Sequence, residues 1–140
     1  MARAQAGLEA MGQKICVDSD VLINFLRNEP EAVAFINDHK DKELATTTIN
    51  IFELYRGAYH TRAQRHNLWV VEHLLRKLTV LPFTDLAAKY AGEMYAELAG
   101  QGNTLDMRDL FIGVTAMVHG FTIKTNNKKD FSRIEGLQLC

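Results

Sequence analysis

Short runs of β-favouring residues alternate with amphipathic segments along almost the whole chain, and that alternation restricts the fold more than any other feature. Lys14 to Val17, Leu44 to Thr46, Leu78 to Leu81 and Phe121 to Lys124 are the runs, with Leu137 to Leu139 as a candidate edge strand. Between them, apolar residues recur at helical spacing: Val21, Leu22, Phe25 and Leu26 in one interval, Ala87, Tyr90, Ala91, Met94 and Leu98 in another. Strands separated by helices must cross over to pair, and such crossovers produce parallel sheets covered on both faces. The expectation is an α/β fold of three layers, with a mostly parallel central sheet flanked by helices.

Helix boundaries are marked by residues that can satisfy free backbone N–H groups. Ser19-Asp20, Thr47 or Thr48, Thr84-Asp85 and Asp106 are candidate N-caps, and Pro30 suits the first turn of a helix that closes before the charged stretch His39 to Glu43. A helix from about Thr61 to Lys77 is expected before the third strand. Gly100 and Gly102 mark a loop, and Gly120 ends the most apolar helix, Leu110 to Val118.

A chain of 140 residues, 47% of them apolar, can bury one good core and is too short for two ordinary domains. Residues 1–13 are mostly small or polar and are read as an N-terminal extension, with disorder one expectation; residues 14–140 are the folded domain. The formal net charge of -1 does not advertise a wholesale electrostatic grip on nucleic acid, so phosphate contacts would need a local cluster. Cys16 in an apolar run and Cys140 at the last position make neither a CxxC pair nor a disulfide framework. No apolar stretch reaches the roughly twenty residues of a membrane span, so a cytoplasmic protein is expected. The histidines lack zinc-site spacing, and no glycine-rich phosphate loop follows a strand, which argues against a zinc enzyme or a nucleotide-cofactor protein.

The acids are more informative. In a parallel sheet, ligands bind outside the C-terminal strand ends, and Asp18 follows the first strand there. Asp20 lies two positions on, Glu53 interrupts the apolar sequence Phe52-Glu53-Leu54, and Asp106 and Asp109 share one helix face. Three separated segments thus offer carboxylates that could meet at one sheet edge. Such a cluster is tolerated chiefly when a divalent cation neutralises it, and all-oxygen ligands favour Mg²⁺ or Mn²⁺ over zinc. Each acid also has a simpler reading: Asp18, Ser19 and Asp20 as a helix cap, Glu53 as the buried partner of Arg56, Asp106 as an N-cap, Asp109 as a first-turn charge favourable to the helix dipole.

Four segments in order, ICVDSDVLINFLR, TTTINIFELYRGA, LDMRDLFIGVTAMVHG and TIKTNNKKDFSRIEGL, resemble the motifs of VapC-like PIN-domain toxin ribonucleases, and the match covers nearly everything from Lys14 to Leu139. The resemblance implies a PIN-like nuclease domain over residues 14–140 in which Asp18, Glu53 and Asp109 are the metal-binding acids. The family often has an aspartate where this chain has Asn127; Asp106, ranked first, or Asp130 could take its place. Thr125 would hydrogen-bond a site carboxylate or water, and Asp20 stands where the family commonly has Asn or Ser. Arg56, Arg108, Lys124, Lys128 and Lys129 flank these acids and are the candidate RNA-binding cations.

The activity implied is metal-dependent hydrolysis of RNA phosphodiesters by the toxin of a type II toxin-antitoxin pair. The expected partners are the RNA substrate, a second copy of the chain in a homodimer, and an antitoxin protein through which DNA is bound indirectly. The alternatives are a PIN-fold RNA-processing nuclease without an antitoxin and a catalytically weak RNA-binding module.

Overall fold

The computed structural model describes residues 14–140; the extension expected over residues 1–13 lies outside them. Along the chain run β1 (Lys14–Val17), α1 (Ser19–Leu26), α2 (Pro30–Asp38), β2 (Glu43–Thr47), α3 (Thr48–Tyr59) and α4 (Gln64–Leu75). They are followed by β3 (Thr79–Leu81), α5 (Asp85–Gly100), α6 (Met107–Val118), β4 (Thr122–Lys124) and the single turn α7 (Lys128–Phe131). The strands form one sheet in the order β3-β2-β1-β4, and every pairing is parallel.

Strand alternation splits the core into layers. Ile15 and Val17 of β1 face the helices α1 to α4, where Val21, Leu22, Leu54, Val71 and Leu74 are buried. On the opposite face Cys16 packs with Ala45, Leu81 and Ala116, and Ile123 packs with Leu110, Ile112 and Phe131. The C-terminal ends of β1 and β4 therefore emerge in the crevice between the two helical layers. Among the described residues no helix is long and apolar enough to cross a membrane.

The expected α/β layering is present, with local corrections. The first helix is capped by Asp18 and not by Ser19 or Asp20: its backbone is extended, and its side chain accepts from the Ser19 N–H. Helix α4 begins at Gln64, three residues after Thr61, because the Thr61 hydroxyl closes the preceding helix by donating to the Ala58 carbonyl. Tyr90 is exposed, leaving Ala87, Ala91 and Leu98 to make the buried stripe of α5. Leu139 makes one parallel bridge to Ile123 and no longer strand.

Gly113 marks where α6 meets the C-terminal segment. A Cβ there would collide with the Ile134 side chain and sit 3.2 Å from Leu137 and 3.4 Å from Phe131. Gly113→Ala should therefore lower stability by about 1 kcal/mol, overpacking outweighing the gain in helix propensity. A urea midpoint equal to or above the parent's would contradict this.

Candidate metal centre

Asp18 ends β1 with its backbone N–H donating to the Lys124 carbonyl at 2.9 Å, which pins the first acid to the neighbouring strand. The side chain is 6% exposed. Oδ1 accepts from the Ser19 N–H at 2.8 Å and from Asn50 Nδ2 at 2.9 Å; Oδ2 accepts from the Thr125 hydroxyl at 2.7 Å. These bonds do not offset removal from water. Burial, reinforced by the charges of Asp20 and Glu53, lifts the carboxyl pKa to about 6 against the pull of Thr125 and Ser19.

Glu53 approaches from α3. Its Oε1 accepts from the Ser19 hydroxyl at 2.9 Å, and Oε2 lies 3.8 Å from Arg108 Nη1. The pairing with Arg56 considered from the sequence does not form; Arg56 instead lies over the Phe52 ring, 5.6 Å from its centroid.

Asp109 enters from the first turn of α6. Partial burial, then the charges of Asp18, Asp106, Asp130 and Glu53, raise its pKa to about 6. Asn127 Nδ2 donates to Asp109 at 3.2 Å and to Asp130 at 3.0 Å, joining the two acids through one neutral amide. Asp106 is the N-cap of α6 and accepts from the Arg108 N–H at 2.8 Å; the Arg108 guanidinium holds its carboxyl below the ordinary range. Asp20 accepts from the Val21 N–H and, through Oδ2, from the Asn126 N–H at 3.0 Å, tying α1 to the loop after β4.

What converges is a set of elements and charges. Among the described residues no three acidic, histidine or cysteine side chains are spaced to hold one ion as they stand. The carboxylate oxygens are parted by Ser19, Asn50, Thr125 and Asn127, all neutral donors. Burial, and then the charge of neighbouring carboxylates, raises two of the three principal acids, and among the described residues the one cation paired with any of the three is Arg108, at 3.8 Å from Glu53. An all-oxygen, net-negative, partly buried donor set of this kind fits a hard divalent cation.

Among the other cations near the acids, Lys124 lies 4.8 Å over the Phe35 ring, while Lys128 and Lys129 are exposed at the start of α7. Asn50 was absent from the sequence reading. It is fully buried, donates to Asp18 and Ser19, and accepts at Oδ1 from the Thr47 N–H and hydroxyl. The signal was its place between Ile49 and Ile51 on a helix that also carries Glu53: a buried amide must find partners.

The model of the PIN domain matches residues 15–137. The tRNA(fMet)-specific endonuclease VapC of Salmonella typhimurium is 31% identical over 126 residues, 90% of this chain and 96% of that protein. Ribonuclease VapC10 of Mycobacterium tuberculosis is 33% identical over 125 residues, 89% and 90% of the two chains. A chain in the crystal structure of DNA-bound VapBC from Salmonella typhimurium superposes with a TM-score of 0.83 at 31% identity, covering 91% of this chain and 96% of that one.

Proposed function

The chain belongs to the PIN-domain family, and from that membership we propose that it is a divalent-metal-dependent endoribonuclease acting as the toxin of a type II toxin-antitoxin pair. The observation that carries this reading is the convergence of Asp18, Glu53 and Asp109 at the C-terminal end of the sheet, where burial first, and then neighbouring carboxylates, lift Asp18 and Asp109 to a pKa of about 6. Carboxyls held in a fold that raises their pKa cost stability when ionised, and the cost has a purpose when a cation is bound between them.

Asp18, Glu53 and Asp109 would hold the ion, and oxygen-only donors favour Mg²⁺ or Mn²⁺. When bound, it supplies activation of water on one side of the phosphodiester and charge neutralisation at the leaving oxygen. Asp130, joined to Asp109 through Asn127, is better placed as a fourth acid than Asp106, whose carboxylate serves Arg108 and the α6 cap. Thr125, Ser19 and Asn50 hold Asp18 and Glu53 in position. Residues 14–140 form the nuclease domain. An antitoxin, a second copy of the chain and, through the antitoxin, DNA are the proposed partners, since a solved relative is a DNA-bound VapBC complex.

Arg108, half-buried beside the acids, would contact the substrate phosphate backbone with Arg56, Lys128 and Lys129. Arg108→Ala should weaken RNA binding in a non-cleaving Asp109→Asn background and reduce the slope of log affinity against log salt by about 0.7. An unchanged slope removes Arg108 from the interface.

The direct test is cleavage of a structured RNA pool by partner-free protein with Mg²⁺, Mn²⁺ or EDTA. Discrete cuts that require metal and vanish in Asp109→Asn support the nuclease. Activity that resists EDTA or survives in the variant belongs to a contaminant, and no cutting at all favours a binding module.

A further inference from the structure

A second concavity opens beside the acids, on the α1–α2 side of the β4 edge. It is a cavity of about 230 Å³ lined by Asn24, Glu29, Glu31, Lys124 and Asn126. Its accessible lining is mostly polar, with Val21 and Ala32, both buried, behind it.

The cavity is attached to the acidic site through two elements. Lys124 pairs with Val17, the residue before Asp18, and its carbonyl accepts the Asp18 N–H. Adjacent strands lie about 4.8 Å apart, so the cavity wall and the first acid are one strand spacing from each other. On the other side, Asn126 is fixed to Asp20 through its backbone N–H at 3.0 Å, which leaves its side-chain amide to the cavity.

Among the described residues the side chains of Asn24, Glu31, Lys124 and Asn126 make no hydrogen bond or salt bridge to protein, so their hydrogen-bonding capacity is open to a ligand. The lining combines donors, the two amides and the ammonium, with acceptors, the amide oxygens and two carboxylates. Glu29 spends part of its capacity on the Glu31 and Ala32 N–H groups as the cap of α2. A phosphate would meet the Glu29 and Glu31 carboxylates unfavourably. A neutral ring bearing both donors and acceptors would use both kinds of partner. Carboxylates accept from exocyclic amines, and asparagine amides pair with an amine and its neighbouring acceptor. Single-stranded RNA offers bases splayed out in this way.

We infer that this cavity is a base-recognition subsite that receives one amino-bearing nucleobase, adenine, cytosine or guanine in preference to uracil, from the nucleotide adjacent to the scissile phosphate. The inference rests on the nuclease reading above and adds the source of its sequence preference.

The experiment uses the full chain and an RNA oligonucleotide pool randomised around a central region, with cut ends sequenced. At one of the two positions that flank the cut, the parent should disfavour uracil, and the Asn24→Ala/Glu31→Ala variant should lose at least fivefold of that bias. A profile from the variant that superimposes on the parent's overturns the subsite while leaving the nuclease intact. Should the parent cut nothing, the nuclease reading falls, and NMR of the Asn24 and Asn126 side-chain amides decides the cavity independently. Titration with a cytidine trinucleotide should shift both amide signals and titration with a uridine trinucleotide should not; equal or absent shifts overturn the subsite.

Discussion

In EDTA at pH 8, Asp18→Asn is expected to melt roughly 5–10 °C above the parent chain while losing metal-dependent RNA cleavage by at least about a hundredfold. Asp18 is buried, and its pKa stands at about 6 in the fold against an ordinary 3.8. The folded state therefore binds this proton more tightly than the unfolded chain does. As pH rises from about 4 through 6 the native state is forced to ionise a group it prefers neutral, and stability falls by about 3 kcal/mol from this carboxyl before levelling off. Asparagine removes the charge and keeps the geometry: its oxygen can accept from Ser19 and Asn50, and its amide can donate to the Thr125 oxygen. The gain in melting temperature should vanish near pH 4, where the parent's own carboxyl is protonated. Asp109→Asn should move both readouts in the same directions, its pKa being raised by partial burial and the same neighbours. Melting curves at pH 4 and 8, read beside the cleavage assay, separate the outcomes. A variant that melts lower at pH 8 and cuts normally would remove Asp18 from the proposed centre.

Asn50→Leu should cost about 3 kcal/mol or more and depress cleavage even where the variant remains folded. The change withdraws donors from Asp18 Oδ1 and Ser19 Oγ and leaves the Thr47 N–H and hydroxyl without their acceptor, all in a buried place. Each orphaned buried polar group costs on the order of 1–3 kcal/mol, partly offset by the apolar area that leucine buries. Removing a donor to Asp18 also disfavours its ionised form, so the acid limb of the pH–cleavage profile should move to higher pH. A general loosening of the fold would lower the whole profile without moving it. Asn50→Asp sharpens the contrast: the added carboxylate faces Asp18, so that variant should be least stable at neutral pH and recover as pH falls. Urea midpoints unchanged in Asn50→Leu would show that the amide holds nothing together.

The alternation of β-favouring runs with helical stripes, Ile15 to Val17 before Val21 and Leu22 for instance, was legible because each strand and helix is built from its own residues. Parallel layering followed, since crossover connections leave few other ways to bury those stripes. Asp18 at the end of β1 and Glu53 between Phe52 and Leu54 were equally visible, because an acid beside apolar residues is conspicuous in one dimension. Cap positions were less secure: Asp18, Ser19 and Asp20 are all able caps, and only the backbone angles at Asp18 select the first.

Partnership between distant residues required the fold. Glu53 turns to Arg108 and Ser19 and not to Arg56, Asn127 bridges Asp109 to Asp130, and Asn50 reaches back to Asp18 across 32 residues of chain. Local propensity and periodicity are set by neighbours a few positions away, so the sequence by itself determined the elements and their layering and made the candidate acids visible. Burial, hydrogen bonding and charge repulsion act over a few ångströms whatever the separation along the chain, so only the tertiary structure decided which donors hold each carboxylate and which carboxyls have a raised pKa.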